Sequence, residues 1–153
     1  MNLIELKNEF YNKKINKANY IKKIYNRYHD LLFQYSDLIS KTDVQKIDIT
    51  SSSIKMTSKK FGVNMIVPKE DHRSASLECI NFNSCEEKEL EVIMQLLPKR
   101  GNFIDIGANN GWHSLVIVKK LTKLKDHAFE QLKTTNQLIT KNIKQNSIKN
   151  IKY

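Results

Sequence analysis

Residues 103–115 read FIDIGANNGWHSL, and this stretch decides the fold of the chain. It begins as an alternating apolar run that ends on a carboxylate, passes through Gly, Ala and Asn, and continues with the apolar spacing of a helix. Two of the four glycines of the chain, Gly107 and Gly111, lie in it, four residues apart. This order predicts a strand over residues 102–106, a tight turn, and a helix over residues 112–121.

The residues after this stretch repeat the alternation of strand and helix. DHAFEQ predicts a short strand that ends at Glu130, and TTNQLITKNIKQN predicts a helix with Leu138, Ile139 and Ile143 on one side. IKNIKY then begins a third strand. Strands that alternate with helices over short connections form parallel sheets of right-handed βαβ units, so this part of the chain is predicted to be α/β.

A further helix is predicted directly before the glycine-containing stretch, in SCEEKELEVIMQLLP. Ser84 stands three residues before Glu87, which is the spacing of a capping box, and Pro98 ends the helix. Its buried face is predicted to consist of Leu90, Ile93, Met94 and Leu97.

Residues 44–68 alternate apolar and polar side chains between Ser and Gly breaks, which predicts two or three short antiparallel strands ending at Pro68. The polar run that follows is expected to be a solvated loop, although it could contribute to a polar site. It consists of Glu70, Asp71, His72 and Arg73.

The first third of the chain is predicted to be helical. Its apolar residues recur at intervals of three and four, and Lys22, Lys23 and Arg27 lie on the opposite face. The apolar stripe consists of Tyr20, Ile21, Ile24, Tyr25, Tyr28, Leu31, Leu32, Tyr35, Leu38 and Ile39. A stripe of tyrosines beside lysines could bind nucleic acid or a membrane, but packing on the protein itself is the commoner role of such a helix.

Composition narrows the classes of partner. The formal net charge is +10 and the pI is about 9.5, but the lysines are scattered along the chain with Ile and Asn, so no nucleic-acid partner is expected. Cys79 and Cys85 form no CxxC motif and have no spaced His pair, which favours two free buried thiols over a metal site. No signal peptide and no run of ~18 apolar residues occurs, so we expect a cytoplasmic protein without a transmembrane segment.

The glycine turn predicts a ligand site. A turn between a parallel strand and a helix lies at the carboxyl edge of the sheet, where α/β proteins bind ligands. Gly107 and Gly111 allow positive φ angles and close approach to the backbone, and the helix N-terminus after them favours an anionic group. Glu130 follows Gly111 by nineteen residues, near the roughly 20-residue offset at which an acid reaches the ribose of a nucleoside cofactor.

Two classes of cofactor fit such a pocket. The order Gly107-Ala108-Asn109-Asn110-Gly111 does not match the GxGxxG pattern with which backbone and pyrophosphate approach each other in dinucleotide sites. S-adenosylmethionine has no pyrophosphate, and it carries an amino-acid end and a cationic sulfonium. Asp105 can attract its ammonium group directly or through water, and the helix N-terminus can meet its carboxylate.

The stretch FIDIGANNGWHSL, followed by AFEQLKTTNQLITKNIKQNSIKNI, resembles the FkbM family of S-adenosylmethionine-dependent methyltransferases. The similarity covers residues 54–153. It implies a Rossmann-like class I methyltransferase sheet, with Glu130 holding the ribose. The same resemblance implies that the methionine side of the cofactor is lined by Asp105, Gly107, Ala108, Asn109 and Gly111. The chain differs from the family pattern at Gln131, where the family has Pro, and at Asp126 and His127, where apolar strand residues are expected.

The predicted organisation is a helical segment at residues 1–43, a β-hairpin region at 44–83, and the N-terminal part of a methyltransferase domain at 84–153. By the resemblance, the chain would supply the first two strands of the sheet and the start of the third. The strand at residues 102–106 is then expected to have an open, apolar edge through which the chain could self-associate.

Three functions remain open on the sequence. The first is methyl transfer to a hydroxyl oxygen of a sugar, a glycan or a natural product, an acceptor class that comes from the resemblance alone. The second is a truncated, inactive remnant of such an enzyme, and the third is a basic module that binds nucleic acid or membranes. No catalytic base is predicted, because His113 at a helix start is more simply a local hydrogen-bonding residue.

Overall fold

A computed structural model describes the whole chain, Met1–Tyr153, as two compact units, Met1–Ser40 and Lys41–Tyr153. The predicted hairpin region and the predicted methyltransferase segment both lie in the second unit. Its secondary structure is mixed α/β, with one antiparallel and one parallel sheet of three strands each. No helix of the chain combines the length and the apolar character that crossing a membrane requires.

The first unit is helical, as predicted. Helix α1 (Leu3–Tyr11) is followed by α2 (Lys17–Ile24), which continues through a π-helical turn at Tyr25–His29 into α3 (Asp30–Ser40). Asn2 and Glu5 form a capping box at the start of α1, because each side chain accepts from the backbone N–H of the other.

Within the first unit, the apolar stripe of α2 and α3 is not buried. None of its residues is buried, and Ile21, Leu32 and Tyr35 are each about half exposed. Within this unit α1 is the helix that packs beside α2, where Phe10 stacks on Tyr20 with ring centroids 4.7 Å apart. One short helix cannot cover a stripe that runs the length of α2 and α3.

The second unit begins with an antiparallel meander, which confirms the predicted strands. Strands β1 (Val44–Ile49), β2 (Ile54–Ser58) and β3 (Asn64–Val67) pair in that order. Met56 of β2 and Met65 of β3 face each other across the ladder and are fully buried, so they form the packed part of this face.

Two short helices, α4 (Ala75–Phe82) and α5 (Glu87–Leu96), follow the meander. Helix α4 was not predicted. The capping box at Ser84 is wrong, because the residue before α5 is Glu86 in a left-handed conformation (φ 47°) and no side chain caps the helix. The chain turns there to bury Cys85, whose carbonyl accepts from the Trp112 indole N–H at 3.1 Å. Of the predicted face of α5, only Leu90 is fully buried.

The parallel sheet confirms the predicted alternation of strand and helix. Strands β4 (Gly101–Ile106), β5 (Leu124–Phe129) and β6 (Ile151–Lys152) pair in chain order, and both pairings are parallel. Helix α6 (Trp112–Lys120) connects the first pair and α7 (Lys133–Gln145) connects the second. Helix α6 is buried along most of its length, which anchors the turn before it.

One face and one edge of this sheet are uncovered. Leu124, Asp126 and Ala128 of β5 point to the packed side and are buried. On the other side, Ile104 is 64% exposed and Ile106 is 85% exposed. Because β4 pairs only with β5, its second edge also has no neighbouring strand. Parallel sheets are normally covered on both faces, so this surface is unusual for its class.

Side-chain amides of α7 join the two sheets. Asn146 Oδ1 accepts from the Asn64 N–H at 2.8 Å, and Asn142 Oδ1 accepts from the Ile66 N–H at 3.0 Å. These bonds satisfy the outer edge of β3, where a fourth strand would otherwise pair. Asn142 Nδ2 also donates to the Asn110 carbonyl at 2.8 Å, so the same side chain holds the glycine turn.

Candidate functional site

The glycine turn, residues 107–111, is fixed by backbone hydrogen bonds at the end of β4. The N–H groups of Gly107 and Ala108 both donate to the Phe129 carbonyl, at 2.9 and 3.0 Å. The Gly111 N–H donates to the Ala108 carbonyl at 2.8 Å. The turn is therefore hydrogen-bonded to the end of β5. It lies at the carboxyl edge of the parallel sheet, as predicted.

The two glycines of the turn are required for different reasons. Gly111 has φ +85°, and a Cβ on it would lie 2.7 Å from Cγ1 of Ile139, so α7 packs directly on its backbone. Gly107 has φ +78° and is exposed, and a Cβ on it would meet no atom within 4 Å. Gly111 is thus a packing position, whereas Gly107 leaves open space in front of the turn.

Asp105 and Asp126 lie on the packed side of the sheet. The Ser114 hydroxyl of α6 donates to Asp105 Oδ2 at 2.7 Å. Asp126 is fully buried and neither of its carboxylate oxygens has a hydrogen-bond partner. Burial raises the pKa of Asp126 to about 6; the nearby Ser114 hydroxyl opposes this shift, and the charge of Asp105 adds to it. At this position, where the pattern of the resembled family has an apolar strand residue, the core holds an unpaired acid.

Glu130 contacts the turn directly. Its Oε2 accepts from the Asn109 N–H at 3.0 Å, and its Oε1 accepts from the Leu132 N–H at 2.8 Å. Asn109 has a left-handed backbone conformation, with φ 50°. Each carboxylate oxygen keeps a free lone pair, so Glu130 can still accept from a ligand hydroxyl.

A cavity of about 160 Å³ lies between the glycine turn and the start of α4 and α5. Asn110 lines it, with its Nδ2 buried and without a partner. His113 Nε2 lies 3.2 Å from Glu86 Oε2 at its wall. The other residues that line it are Arg73, Ala75, Glu78, Cys85, Gly107, Ala108, Asn109 and Trp112.

The six predicted cofactor residues do not all face one space. Gly107, Ala108 and Asn109 line the cavity, and Glu130 reaches the turn from β5. Asp105 points to Ser114, and Gly111 is packed against Ile139; neither lines the cavity. Both residues still stabilise the turn, through contacts with α6 and α7 outside the cavity.

Four residues of the cavity wall were missed as site residues. The sequence predicts a solvated loop at Arg73 and a local hydrogen-bonding role for His113, and it indicates no role for Glu86 or Asn110. Asn110 could have been found, because it is the second Asn of the turn motif. Arg73 and Glu86 carry no local signal, since only the folding of α4 and α5 brings them to the turn.

The fold and the site together define an α/β protein with a glycine turn and an acid at neighbouring strand ends. No group of three or more His, Cys, Asp or Glu side chains is placed to hold a metal ion. Comparison of the chain with protein-family models, with curated proteins and with solved structures found no match.

Proposed function

We propose that this chain is an S-adenosylmethionine-dependent methyltransferase with a Rossmann-like class I sheet, related to the FkbM family. The observation that carries the proposal is the hydrogen bond between Glu130 and the N–H of Asn109. It joins the acid at the end of the second parallel strand to the turn after the first. An acid and a glycine turn on neighbouring strand ends are what a nucleoside cofactor requires.

The roles of the residues follow from their positions. Gly107 presents open backbone, and Glu130 has lone pairs that can accept from the ribose hydroxyls. Asp105 adds negative charge behind the turn, which favours a cationic ligand. When bound, S-adenosylmethionine supplies the transferable methyl group, and the protein contributes its orientation.

The acceptor is proposed from the resemblance, as a hydroxyl of a sugar, a glycan or a natural product. A cytoplasmic location belongs to the same proposal. We also propose that two copies associate through the free edge of β4, because the unpaired backbone groups of a six-residue strand can pair with the same strand of a second copy.

Two alternatives remain. An inactive remnant would keep the turn but would not transfer methyl groups. A basic binding module is favoured by one observation, the exposed stripe on α2 and α3 beside Lys22 and Lys23. Such a module would bind anionic vesicles or nucleic acid and would not bind the cofactor.

The deciding experiment is calorimetric titration of S-adenosylmethionine and S-adenosylhomocysteine into the full chain. We expect saturable binding of both, and a loss of at least about tenfold in affinity in Glu130→Ala, because the acid accepts strong hydrogen bonds from the ribose. Glu89→Ala is the matched control, since this exposed glutamate of α5 lies outside the site. Absence of binding by the folded wild type would refute the proposed cofactor.

A further inference from the structure

We infer that one side of the first, helical unit is a docking surface for an anionic lipid bilayer. The inference goes beyond the proposed function and does not depend on it, because it concerns residues of Met1–Ser40 and not the glycine turn. A chain that binds the cofactor and a chain that does not can both present this surface.

Helices α1 and α2 form an antiparallel pair. At one end Phe10 of α1 stacks on Tyr20 of α2, with ring centroids 4.7 Å apart. At the other end the Tyr28 hydroxyl donates to the Met1 carbonyl at 2.6 Å. An α-helix turns by about 100° per residue, so in an antiparallel pair the residues that directly follow a contact residue lie on the same side of the pair in both helices.

One side of this pair, which we call the hairpin face, collects exposed apolar residues from both helices. Tyr11 directly follows the contact residue Phe10, and Ile21 directly follows the contact residue Tyr20, so both lie on it. Residues at successive steps of three or four positions from these lie on the same side. The hairpin face consists of Ile4, Lys7, Tyr11, Lys17, Ile21 and Tyr25.

The apolar residues of the hairpin face favour a bilayer over a nucleic acid. Ile4 and Tyr11 are each 68% exposed, and Ile21 is 52% exposed. Aliphatic side chains gain free energy when they enter the boundary between lipid headgroups and acyl chains, and tyrosine is enriched at this level of a membrane. The phosphate backbone of a nucleic acid is bound mainly through charge and offers no such gain.

The charge of the hairpin face complements anionic lipid. Lys7 and Lys17 lie on the face, and Lys13 and Lys14 lie in the turn that connects α1 and α2. None of these four lysines forms an ion pair within the chain. Residues 10–29 contain no acidic side chain. Four unpaired cations beside an apolar surface are the combination with which a helix binds the anionic surface of a membrane.

The acids of α1 lie on the other side of the pair. Glu5 and Glu9 directly precede Leu6 and Phe10, which contact α2, so they point away from the hairpin face. On the face itself, the Lys7 ammonium lies 5.8 Å from the centroid of the Tyr11 ring. A lysine beside an apolar ring can keep its ammonium at the headgroups while its alkyl stem follows the ring into the membrane.

The test is cosedimentation of the full chain with lipid vesicles. Vesicles of phosphatidylcholine with about 30% phosphatidylserine should bind the wild type at least about tenfold more tightly than vesicles of phosphatidylcholine alone, because anionic headgroups attract each lysine near the surface. A rise in salt from about 0.1 M to about 1 M should weaken binding to the anionic vesicles, because it screens this attraction.

Two pairs of lysine variants separate the hairpin face from net charge. Lys7→Gln combined with Lys17→Gln should lower the affinity for anionic vesicles by about tenfold or more. The matched control, Lys22→Gln combined with Lys23→Gln, removes the same charge from the groove on the other side of the pair and should lower it by less than about threefold. Equal losses in the two pairs would mean binding by net charge alone and would overturn the hairpin face.

A further pair of variants tests the apolar contribution. Ile21→Ser should lower the affinity for anionic vesicles by about threefold or more, because it removes apolar area from the face. Ile49→Ser should leave it unchanged, since Ile49 is 65% exposed but lies on β1 of the second unit. Circular dichroism of each variant establishes that it is folded.

Other partners of the hairpin face give different results. A folded wild type that does not bind anionic vesicles would overturn the inference, and calorimetry of the cofactor would still decide the proposed function separately. Tighter binding of a single-stranded oligonucleotide than of anionic vesicles would assign the lysines to nucleic acid. Dimers that Ile21→Ser abolishes, in the absence of vesicle binding, would assign the face to a second copy of the chain.

Discussion

The Glu130 carboxylate accepts a hydrogen bond from the backbone N–H of Asn109 at 3.0 Å, across twenty-one residues of sequence. This bond joins the ends of β4 and β5 at the point where a ligand would bind. It also holds Asn109 in its left-handed conformation, so one carboxylate both shapes the turn and lines the proposed site.

Removal of that carboxylate should weaken the fold as well as the site. Glu130→Ala deletes the acceptor for the N–H groups of Asn109 and Leu132, and we expect the free energy of unfolding in urea to fall by about 1–3 kcal/mol. Glu89→Ala on the exposed face of α5 should change it by less than about 0.5 kcal/mol. Equal stability of the two variants would mean that the Glu130 bonds contribute nothing.

The two glycines of the turn should respond differently to alanine. Gly111→Ala combines a positive φ with a Cβ 2.7 Å from Ile139, so we expect the free energy of unfolding to fall by about 2–4 kcal/mol. When Ile139→Ala is added to Gly111→Ala, it should lower the free energy of unfolding by less than it does in the wild type. In Gly107→Ala the new Cβ meets no neighbouring atom, so the free energy of unfolding should fall by only about 1–2 kcal/mol, because of the positive φ. Urea denaturation measures the free energy of unfolding of both variants. Equal losses in Gly111→Ala and Gly107→Ala would mean that Gly111 is required only for its backbone conformation.

Asp126 should make the protein less stable as the pH rises. Its pKa is about 6 in the folded chain against an ordinary value of 3.8, so the folded state favours the protonated form. The penalty is absent below pH about 4, grows between pH 4 and 6, and is complete above this range, where it is about 1–3 kcal/mol.

We therefore expect Asp126→Asn to gain stability relative to the wild type as the pH is raised from 4 to 7.5, measured by urea denaturation at each pH. The new amide could also change the free energy of unfolding by the same amount at every pH, and such a change would not alter the dependence on pH. Asp48→Asn on the surface is the control, since its carboxylate is exposed and paired with Lys46 at 2.9 Å. A difference between Asp126→Asn and wild type that is independent of pH would contradict the assignment.

The Asn142 side chain should be among the most sensitive polar groups of the chain. Asn142→Leu leaves the Ile66 N–H and the Asn110 carbonyl without their partners, which should destabilise the fold by about 2–4 kcal/mol. Lys141→Ala, the exposed neighbour on α7, should have little effect. Hydrogen exchange should also show faster exchange of the Ile66 amide in the Asn142 variant only.

Self-association through β4 should depend on its exposed isoleucine. Sedimentation velocity of the wild type should show concentration-dependent dimers, and Ile104→Lys should suppress them, because a charge on the edge opposes strand pairing. Ile49→Lys is a close control, since Ile49 is 65% exposed and Ile104 is 64% exposed, and Ile49 lies on β1. Dimers that persist in Ile104→Lys would place the contact elsewhere.

The sequence by itself determined the local elements and the turn. Period-two and period-four spacing predicted the strands and helices around residues 103–115, and Gly107 and Gly111 identified the turn, because these signals depend on neighbours a few residues away. The wrong predictions have the same cause, since neighbours a few residues away carry no information on contacts with distant residues. The predicted capping box at Ser84 does not form, because the chain turns there to bury Cys85, whose carbonyl accepts a hydrogen bond from Trp112, twenty-seven residues further along the chain.

Only the tertiary structure decided which side chains meet. Asn142 is bonded to Ile66 across seventy-six residues, and Arg73, Glu86 and Asn110 share one cavity only after α4 and α5 have packed beside the turn. The same packing buried Asp126 without a partner and left the Ile104 face of the sheet open. Local spacing contains no information on such contacts, because they depend on the packing of elements that are distant in the chain.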